Sequence, residues 1–306
     1  MLTIGSRGST LALAQTTWIK NQIQRRFSDV QVTIKVIRTS ADKDATSSIR
    51  AGSGIGVFVK EIEEALLAHE IDLAVHSMKD VPTRIPDQLE IAAIPEREDP
   101  RDALIIRGSA ENLEGLPSGA AVGTGSVRRQ AQILAWRKDI RVADIRGNVD
   151  TRLQKLANGA YDAIVLACAG LIRLGLDGRI TARLDLARML PAPGQGALAL
   201  ETRKGDHAVH SVIDFLNHRP TAVTVRAERA FLRRLGGGCN VPVAVHAAYR
   251  DGTILIDGLI SAPDGSRIIR DSTTADDHTA EEAAVVLADK ILSHGGKFLL
   301  EDGVRS

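Results

Sequence analysis

One stretch of this chain could present a reactive thiol. Leu235–Val243 reads Leu-Gly-Gly-Gly-Cys-Asn-Val-Pro-Val and contains Cys239, one of two cysteines in 306 residues. The glycines before the cysteine let the backbone take positive φ angles and approach another molecule closely, and Pro242 fixes the exit from the turn. Two interpretations are open here. The stretch is either a glycine cap of the preceding helix with a small packing residue, or a loop that presents a thiol for covalent attachment.

A second candidate is the segment His76–Pro82, His-Ser-Met-Lys-Asp-Val-Pro. It follows Ile71–Val75, an apolar stretch that predicts a short buried strand. Ligands of open α/β sheets bind beyond the carboxyl ends of the strands. Lys79 and Asp80 are therefore candidates for a ligand site, the alternative being a surface ion pair that contributes little energy.

Basic residues are concentrated between Ala121 and Leu184, where eleven lysines and arginines stand against five aspartates and no glutamate. The arginines recur at or just after the carboxyl ends of predicted strands, which would gather them on one rim of a sheet. Aromatic residues make up only 3% of the chain, and Trp136 and Tyr161 are the two that fall in this stretch, fewer than a series of base-stacking platforms for nucleic acid needs. The cluster favours a small polyanion, although solvated helix faces are the alternative.

A similar feature lies near the start of the chain. Arg7 precedes a helix predicted to begin at Ser9 or Thr10, either of which can cap it. A helix N-terminus beside an arginine suits a carboxylate or a phosphate. The alternative is a capped helix with a solvated arginine.

The elements that must position these residues alternate between short apolar strands and amphipathic helices, which predicts an α/β fold. We expect two doubly wound α/β domains, like those of periplasmic binding proteins, and a small C-terminal α+β domain. Two proline-containing crossovers set the predicted boundaries: 1–96 with 197–214 for domain 1, 100–192 for domain 2 and 218–306 for domain 3. The polar stretch Thr39–Ser53 is predicted to be a loop, and Cys168 a buried packing residue.

The composition is that of an ordinary globular protein, with 44% hydrophobic and 25% charged residues. No apolar run approaches the roughly 18 residues of a membrane helix, and the N-terminus resembles no targeting peptide. The scarcity of cysteines argues against a disulfide framework. We therefore expect a cytoplasmic protein that binds neither membrane nor nucleic acid, and no feature predicts the extensive apolar interface of an oligomer.

Taken together, the motifs resemble the hydroxymethylbilane synthase, or porphobilinogen deaminase, family. The resemblance runs in family order from residue 5 to residue 243 and rests on these segments: Gly5-Ser-Arg-Gly-Ser9, Leu11-Ala-Leu-Ala-Gln15, Phe58-Val-Lys-Glu61, His76 to Pro82, Gly123-Thr-Gly-Ser-Val-Arg-Arg-Gln130, Arg146-Gly-Asn-Val-Asp-Thr-Arg-Leu153, Pro193-Gly-Gln-Gly-Ala-Leu198 and Leu235-Gly-Gly-Gly-Cys239. The chain departs from the family pattern at Ala41, Pro193 and Asn240, where Gly, Val and Gln are usual.

The resemblance implies a transferase that joins four porphobilinogen molecules head to tail, releases ammonia at each step and makes the linear tetrapyrrole hydroxymethylbilane. It implies a dipyrromethane cofactor, built from porphobilinogen and held by a thioether to Cys239, that primes the growing chain. No metal or nucleotide is implied.

The family's functional residues carry over to matching positions. Asp80 corresponds to the catalytic aspartate and Lys79 to its neighbour. The positions implied to contact the cofactor are Cys239, Ser9, Lys79, Asp80, Thr124, Ser126, Arg128, Arg129 and Arg146. Those implied to contact substrate are Arg7, Ser9, Phe58, Arg146, Arg152, Arg173 and Gln195.

The residue types suit this chemistry. A carboxylate near the ring nitrogens can hydrogen-bond a pyrrole N–H, stabilise developing positive charge and assist proton transfer. Each pyrrole ring carries an acetate and a propionate, and arginine binds carboxylates in bidentate geometry. Two rivals remain: a non-enzymatic bilobed carboxylate-binding protein, and an acyl transferase that pairs Cys239 with His246 or His76.

Overall fold

The computed structural model describes residues 1–37, 59–236 and 242–300. The predicted loop Thr39–Ser53, the substrate candidate Phe58 and the attachment candidate Cys239 lie outside these ranges. Within them the chain forms three sheets, and we refer to each sheet with its packed helices as a lobe. No described helix is long and apolar enough to cross a membrane.

Lobe 1 is built on a mixed sheet with the strand order β2-β1-β3-β10-β4. Strand β1 pairs in parallel with β2 and β3, whereas β10 is antiparallel to both β3 and β4. Helices α1 and α6 cover one face, and α2 covers the other. The bounds are β1 Leu2–Ser6, α1 Thr10–Arg26, β2 Val32–Val36, α2 Lys60–Leu67, β3 Leu73–Ser77, β4 Leu89–Ala93, β10 Leu198–Arg203 and α6 His207–Ile213.

Lobe 2 repeats this plan with the strand order β7-β6-β8-β5-β9. Strand β6 is parallel to β7 and β8, and β5 is antiparallel to β8 and β9. The bounds are β5 Asp102–Ile106, β6 Ala121–Gly123, α3 Val127–Trp136, β7 Arg141–Ala143, α4 Val149–Ala157, β8 Ala163–Ala167, α5 Cys168–Arg173 and β9 Ala182–Arg183. Cys168 is fully buried in this lobe, as predicted.

Two crossovers join these lobes. Each one leads into a strand that runs antiparallel to its neighbours in the next sheet. The first crossover, residues 94–101, leads directly into β5, and the second, residues 190–197, leads into β10. The two segments run side by side, because the backbone N–H of Glu98 donates to the carbonyl of Gly196 at 3.2 Å. Gly196 has a φ of +89°, and a Cβ there would collide with the Glu98 carbonyl.

Lobe 3 is an antiparallel meander of three strands with two helices on one face. Asp251 and Gly252 both have positive φ, so the Asp-Gly turn between the first two strands is of the hairpin type. Phe231 lies at the centre of the core that the helices share with the sheet. The bounds are α7 Arg219–Arg234, β11 Val243–Arg250, β12 Thr253–Ser261, β13 Ile268–Ala275 and α8 Ala280–Ile291.

The predicted strand Ile71–Val75 is wrong by two residues at each end. Strand β3 spans Leu73–Ser77, because its pairing with β10 extends as far as Ser77 opposite Leu198. Ile71 is buried, but its N–H closes the turn after α2 on the carbonyl of Ala65 at 3.4 Å. Burial alone does not separate a strand residue from a buried turn residue, and His76 and Ser77 consequently lie inside the strand.

Candidate active site

The predicted site residues that the structure describes lie in lobes 1 and 2 and in the second crossover between them. Loops after the carboxyl ends of β1 and β3 enter from lobe 1, and loops after β6, β7 and β8 enter from lobe 2. The Thr10 hydroxyl of lobe 1 lies 3.4 Å from a carboxylate oxygen of Asp150 in lobe 2, and Arg173 of lobe 2 donates to the carbonyl of Gly196 in the second crossover at 2.7 Å. The strand ends therefore face one another across a shared space, as expected for a ligand site in this fold class.

Lys79 and Asp80 lie on a short 3₁₀ turn, Met78–Asp80, directly after β3. The turn is closed by a hydrogen bond from the Val81 N–H to the Met78 carbonyl at 3.1 Å. Met78 and Val81 are buried, whereas Lys79 and Asp80 between them are half-buried. Two buried anchors thus flank the two polar residues, which limits the freedom of the acid and the amine.

The ammonium group of Lys79 experiences charges from the opposite lobe. Burial lowers its pKa below the usual lysine range, and the positive charges of Arg129 and Arg128 lower it further, whereas Asp80 and Asp102 act in the opposite direction. These interactions place the Lys79–Asp80 turn of lobe 1 close to the arginines of lobe 2.

Arg128 and Arg129 form a buried cluster with Asp102, the first residue of β5. Arg128 donates to Asp102 Oδ2 at 2.8 Å and to Oδ1 at 3.3 Å, and Arg129 donates to Oδ1 from Nε at 3.0 Å and from Nη2 at 2.8 Å. Burial would raise the pKa of Asp102, but the two guanidinium groups outweigh it and hold that pKa well below its usual range. Asp102 is therefore an anion at the floor of the cleft.

Arg128 and Arg129 are not free arginines along the edge of a sheet, which is how the sequence predicts them. Arg128 also donates to the Leu190 carbonyl at 2.7 Å, and Arg129 to the Val165 carbonyl at 3.0 Å, so most of their N–H groups are already used. The exception is Arg128 Nε, which is hidden from solvent and has no acceptor among the described residues. Asp102 is the single described carboxylate that binds these two arginines, so the cluster keeps a net positive charge that suits an anionic ligand.

Helix N-termini add partial positive charge to the same space. Ser9 caps α1 by accepting from the Ala12 N–H at 3.3 Å, and Ser126 caps α3 by accepting from the Arg129 N–H at 3.4 Å. The buried Thr124 supports the second cap, since its hydroxyl accepts from the Ser126 N–H at 3.2 Å. A serine hydroxyl that accepts in a cap can still donate its hydrogen to a ligand.

The outer arginines of lobe 2 are less constrained. Arg146 is exposed and pairs with Asp144 at 2.7 Å, and Arg152 donates to the Gly147 carbonyl at 2.7 Å. Burial lowers the pKa of Arg152, and the nearby charges of Arg129 and Arg146 lower it further. Arg129, Arg146 and Arg152 are therefore close enough for their charges to interact.

The remaining predicted contacts lie around the crossovers and the first loop. Burial lowers the pKa of Arg173 to about 10. Gln195 is buried, and its Nε2 donates to the Pro100 carbonyl at 2.7 Å and to Asp102 Oδ1 at 2.9 Å. Its Oε1 is hidden from solvent and has no partner among the described residues. Arg7 is half-buried in the loop between β1 and α1.

Sequence reasoning missed two acids that organise this region. Asp102 carried a weak signal, as the one acid at the head of an otherwise apolar strand. Glu228 on α7 carried none, although it is fully buried and binds both crossovers. It accepts from Arg97 at 2.6 and 3.1 Å, from the Gly194 N–H at 2.6 Å and from the Ala247 N–H of lobe 3 at 2.8 Å.

His76 and His246, the histidines that an acyl transferase would pair with Cys239, contact acidic residues. His76 Nε2 lies 2.9 Å from Glu201 in the interior of lobe 1, and His246 Nδ1 lies 3.4 Å from Glu228. Both rings therefore face buried carboxylates within the described structure.

Fold and site together define a bilobed α/β protein with an attached third lobe, whose cleft combines an acid and an amine with buried cations and helix N-termini. Such a cleft suits a ligand that carries several carboxylates.

Residues 2–211 match the family model described as porphobilinogen deaminase, dipyromethane cofactor binding domain, and residues 222–293 match the porphobilinogen deaminase C-terminal domain. The chain is 50% identical over 301 residues to the porphobilinogen deaminase of Thermus thermophilus, covering 98% of both chains. It is 48% identical to that of Pelobacter propionicus, covering 98% of this chain and 96% of the relative. Among solved structures, the periplasmic VFT2 domain of Bordetella pertussis BvgS matches with 16% identity and a TM-score of 0.41, over 70% of this chain and 85% of that one.

The chain belongs to the porphobilinogen deaminase family. The predicted family, the transferase class and a place in tetrapyrrole synthesis are confirmed, and the alternative of a non-enzymatic carboxylate-binding protein is not. The mixed α/β fold with a small C-terminal lobe is also confirmed. Residues 2–211 correspond to the part that the family model describes as binding the dipyrromethane cofactor.

Proposed function

We propose that this chain joins four porphobilinogen molecules head to tail, with loss of ammonia at each step, and releases hydroxymethylbilane by hydrolysis. We further propose that Cys239 holds a dipyrromethane primer through a thioether. The observation that carries the proposal is the pairing, in a chain of this family, of an acid and an amine on the turn after β3 with the buried Arg128–Arg129–Asp102 cluster of lobe 2.

The buried cluster fits a primer that carries four carboxylates. Arg128 and Arg129 share a single described carboxylate partner, and Arg128 Nε has no described acceptor. These two arginines, with Lys79, Ser9, Thr124, Ser126 and Arg146, are the residues we propose to hold the dipyrromethane. When bound, that group supplies the pyrrole carbon to which the first substrate unit is joined.

Asp80 is the proposed catalytic acid. The substrate ring becomes positively charged as ammonia leaves, and a carboxylate that accepts a hydrogen bond from the pyrrole N–H stabilises that charge. Met78 and Val81 are buried on either side of the polar pair and hold the turn in place. The Asp80 carboxylate is therefore positioned before the reaction begins. The adjacent Lys79, whose pKa is lowered, adds a cation that can bind a substrate carboxylate.

The incoming substrate requires its own cations. Arg7, Arg146, Arg152 and Arg173, with Ser9, Phe58 and Gln195, are the proposed contacts for porphobilinogen and the growing chain. Arg146 is exposed and its ion pair with Asp144 is at the surface. Surface pairs contribute little energy, so Arg146 can exchange its partner for a substrate carboxylate at small cost.

We also propose that the enzyme is a cytoplasmic monomer that binds neither nucleic acid nor membrane. The unpaired thiol of the buried Cys168 suits a reducing compartment. Light scattering of the purified protein tests the monomeric state, and a dimer mass would contradict it. Fractionation of cells tests the cytoplasmic location, and a membrane-bound fraction would contradict it.

The covalent primer is tested by intact-protein mass and by staining with Ehrlich reagent. We expect a dipyrrole adduct on the wild-type protein and on Cys168→Ala, which removes the other cysteine, and no adduct on Cys239→Ser. A bare polypeptide mass in a preparation that consumes porphobilinogen at full rate would exclude the covalent primer.

The role of Asp80 is tested by Asp80→Asn, with Asp87→Asn as a control at an exposed position of the following loop. We expect Asp80→Asn to fold and to lose about 100-fold or more in kcat, while Asp87→Asn keeps wild-type kinetics. Near-normal turnover by Asp80→Asn would remove this residue from the catalytic role.

A further inference from the structure

Helix α7 packs directly behind the Lys79–Asp80 turn. Met78 and Val81, the buried anchors of the turn, share a core cluster with Ala222 and Val225 of α7. The turn is therefore held between the end of β3 on one side and a helix of lobe 3 on the other.

Arg229 of α7 makes polar contacts with the same turn. Its Nη1 donates to the Val81 carbonyl at 3.0 Å and its Nη2 to the Pro82 carbonyl at 2.6 Å. These are the backbone carbonyls of the two residues that directly follow Asp80. A guanidinium group presents its donors in a rigid planar fork, so two adjacent acceptors are fixed relative to each other as well as to the helix.

Arg229 keeps its charge at neutral pH. Burial lowers its pKa to about 10, with a further contribution from Arg233, and the charge of Glu201 acts in the opposite direction. Hydrogen bonds from a charged donor in a partly dry environment are stronger than those between neutral groups. The two bonds are thus among the stronger local restraints on the turn.

The position of Arg229 along the chain links two parts of the proposed site. The neighbouring Glu228 binds both crossovers and lobe 3. Helix α7 ends at Arg234, and Cys239 follows shortly after it in the sequence. The helix that leads to the proposed attachment cysteine therefore also grips the turn that carries the proposed catalytic acid.

We propose that Arg229 is a positioning residue, which fixes the Asp80 turn relative to the lobe that carries the attachment cysteine. The inference rests on the proposed function, because the role of Asp80 belongs to that proposal. Arg229 itself donates to backbone carbonyls and has no assigned contact with substrate or primer.

The experiment compares Arg229→Gln and Arg229→Lys with Arg226→Gln, which removes an exposed arginine from the same helix. Hydrogen exchange of the peptide spanning residues 78–84 is measured on each protein as purified, together with kcat, KM and intact mass. Hydrogen exchange does not depend on any assumed activity, so it reports on the restraint even if the proposed function is wrong.

We expect faster exchange at residues 78–84 in Arg229→Gln, a fall in kcat of about tenfold or more and a change in KM below about threefold. A displaced acid loses transition-state stabilisation, whereas substrate carboxylates still find their arginines. Arg229→Lys keeps the charge but not the fork, so its kcat should lie between those of wild type and Arg229→Gln. Arg226→Gln should match wild type in every measurement.

The inference is overturned if Arg229→Gln exchanges at the wild-type rate, or if exchange increases while kcat stays at the wild-type value. Should Arg229→Gln fail to fold, Arg229→Lys gives the same decision, since unchanged exchange or unchanged kcat in that variant has the same meaning. A wild-type protein that carries no adduct and consumes no porphobilinogen contradicts the proposed function instead, whatever the exchange rates show.

Discussion

Asp102 is a residue on which the charge of the cleft depends. It is fully buried, and Arg128, Arg129 and Gln195 all donate to its carboxylate. An isolated buried charge is expensive, so each partner is stabilised only because the others are present. The carboxylate therefore orients two arginines by accepting hydrogen bonds at both of its oxygens, while the cluster stays net positive.

We predict that Asp102→Asn lowers the free energy of unfolding by about 3 to 5 kcal/mol, because two buried guanidinium groups lose their countercharge. Urea denaturation measures this loss, and intact mass shows whether the dipyrrole adduct still assembles. Asp139→Asn, which neutralises an exposed carboxylate paired with Arg137, should be nearly unchanged. Equal stabilities for the two variants would contradict the interpretation of the cluster.

At the scale of elements, α2 meets β3 and β10 through an acidic group of side chains. Glu201 of β10 lies 2.9 Å from His76 of β3, and its charge interacts with Glu63 of α2 and with Arg229 of α7. Burial raises the pKa of Glu63 from 4.5 to about 7, the charges of Glu201 and Glu64 raise it as well, and His76 acts in the opposite direction. At a pH between 4.5 and about 7, the chain therefore binds a proton at Glu63 when it folds.

This proton uptake fixes the sign of a pH effect. Between pH 4.5 and about 7 the folded state binds more protons at Glu63 than the unfolded state, so this group makes stability fall as the pH rises. We predict that Glu63→Gln is more stable than wild type at pH 8 and that the difference disappears below about pH 4.5. Thermal unfolding from pH 4 to pH 8 checks this, with the exposed Glu111→Gln as control, and a pH-independent difference would refute it.

Element boundaries show which parts of the fold follow from local sequence. Helices α3 and α4 begin where local sequence signals place a helix start, because Ser126 and Asn148 cap them and the apolar positions repeat with helical spacing. Strand β3 was misplaced because Ile71 is as buried as a strand residue while belonging to a turn. The pairing of Asp102 with Gln195 joins residues 93 positions apart, and no local pattern specifies such a contact.

At the scale of the whole molecule, Glu228 connects all three lobes. Burial would raise its pKa, but the charge of Arg97, the nearby His246 and the hydrogen bonds from Arg97 lower it to about 2. Arg97 belongs to the first crossover, Gly194 to the second and Ala247 to β11. One carboxylate thus sets the relative position of the segments between lobes 1 and 2 and of the lobe attached to them.

We predict that Glu228→Gln loses about 3 to 5 kcal/mol of stability, because Arg97 is left without its countercharge and an amide nitrogen replaces an acceptor. Limited proteolysis should cut the crossovers of this variant faster than those of wild type. The control is Glu281→Gln. This substitution neutralises an exposed acid of α8 that pairs with Arg226 and Arg233 of α7, the helix that contains Glu228. Identical cleavage of both variants would show that Glu228 does not hold the crossovers.

The crossovers also impose an order on how the chain can fold during synthesis. All strands of the lobe 2 sheet come from the continuous stretch 102–183, so this sheet can close as soon as that stretch has left the ribosome. Strand β4 of lobe 1 joins its sheet only through β10 within the described chain, and β10 is made after the whole of lobe 2. The sheet of lobe 1, which is translated first, is therefore completed after the sheet of lobe 2. The backbone hydrogen-bonding groups of β4 have no partner strand until residues 198–203 have been synthesised.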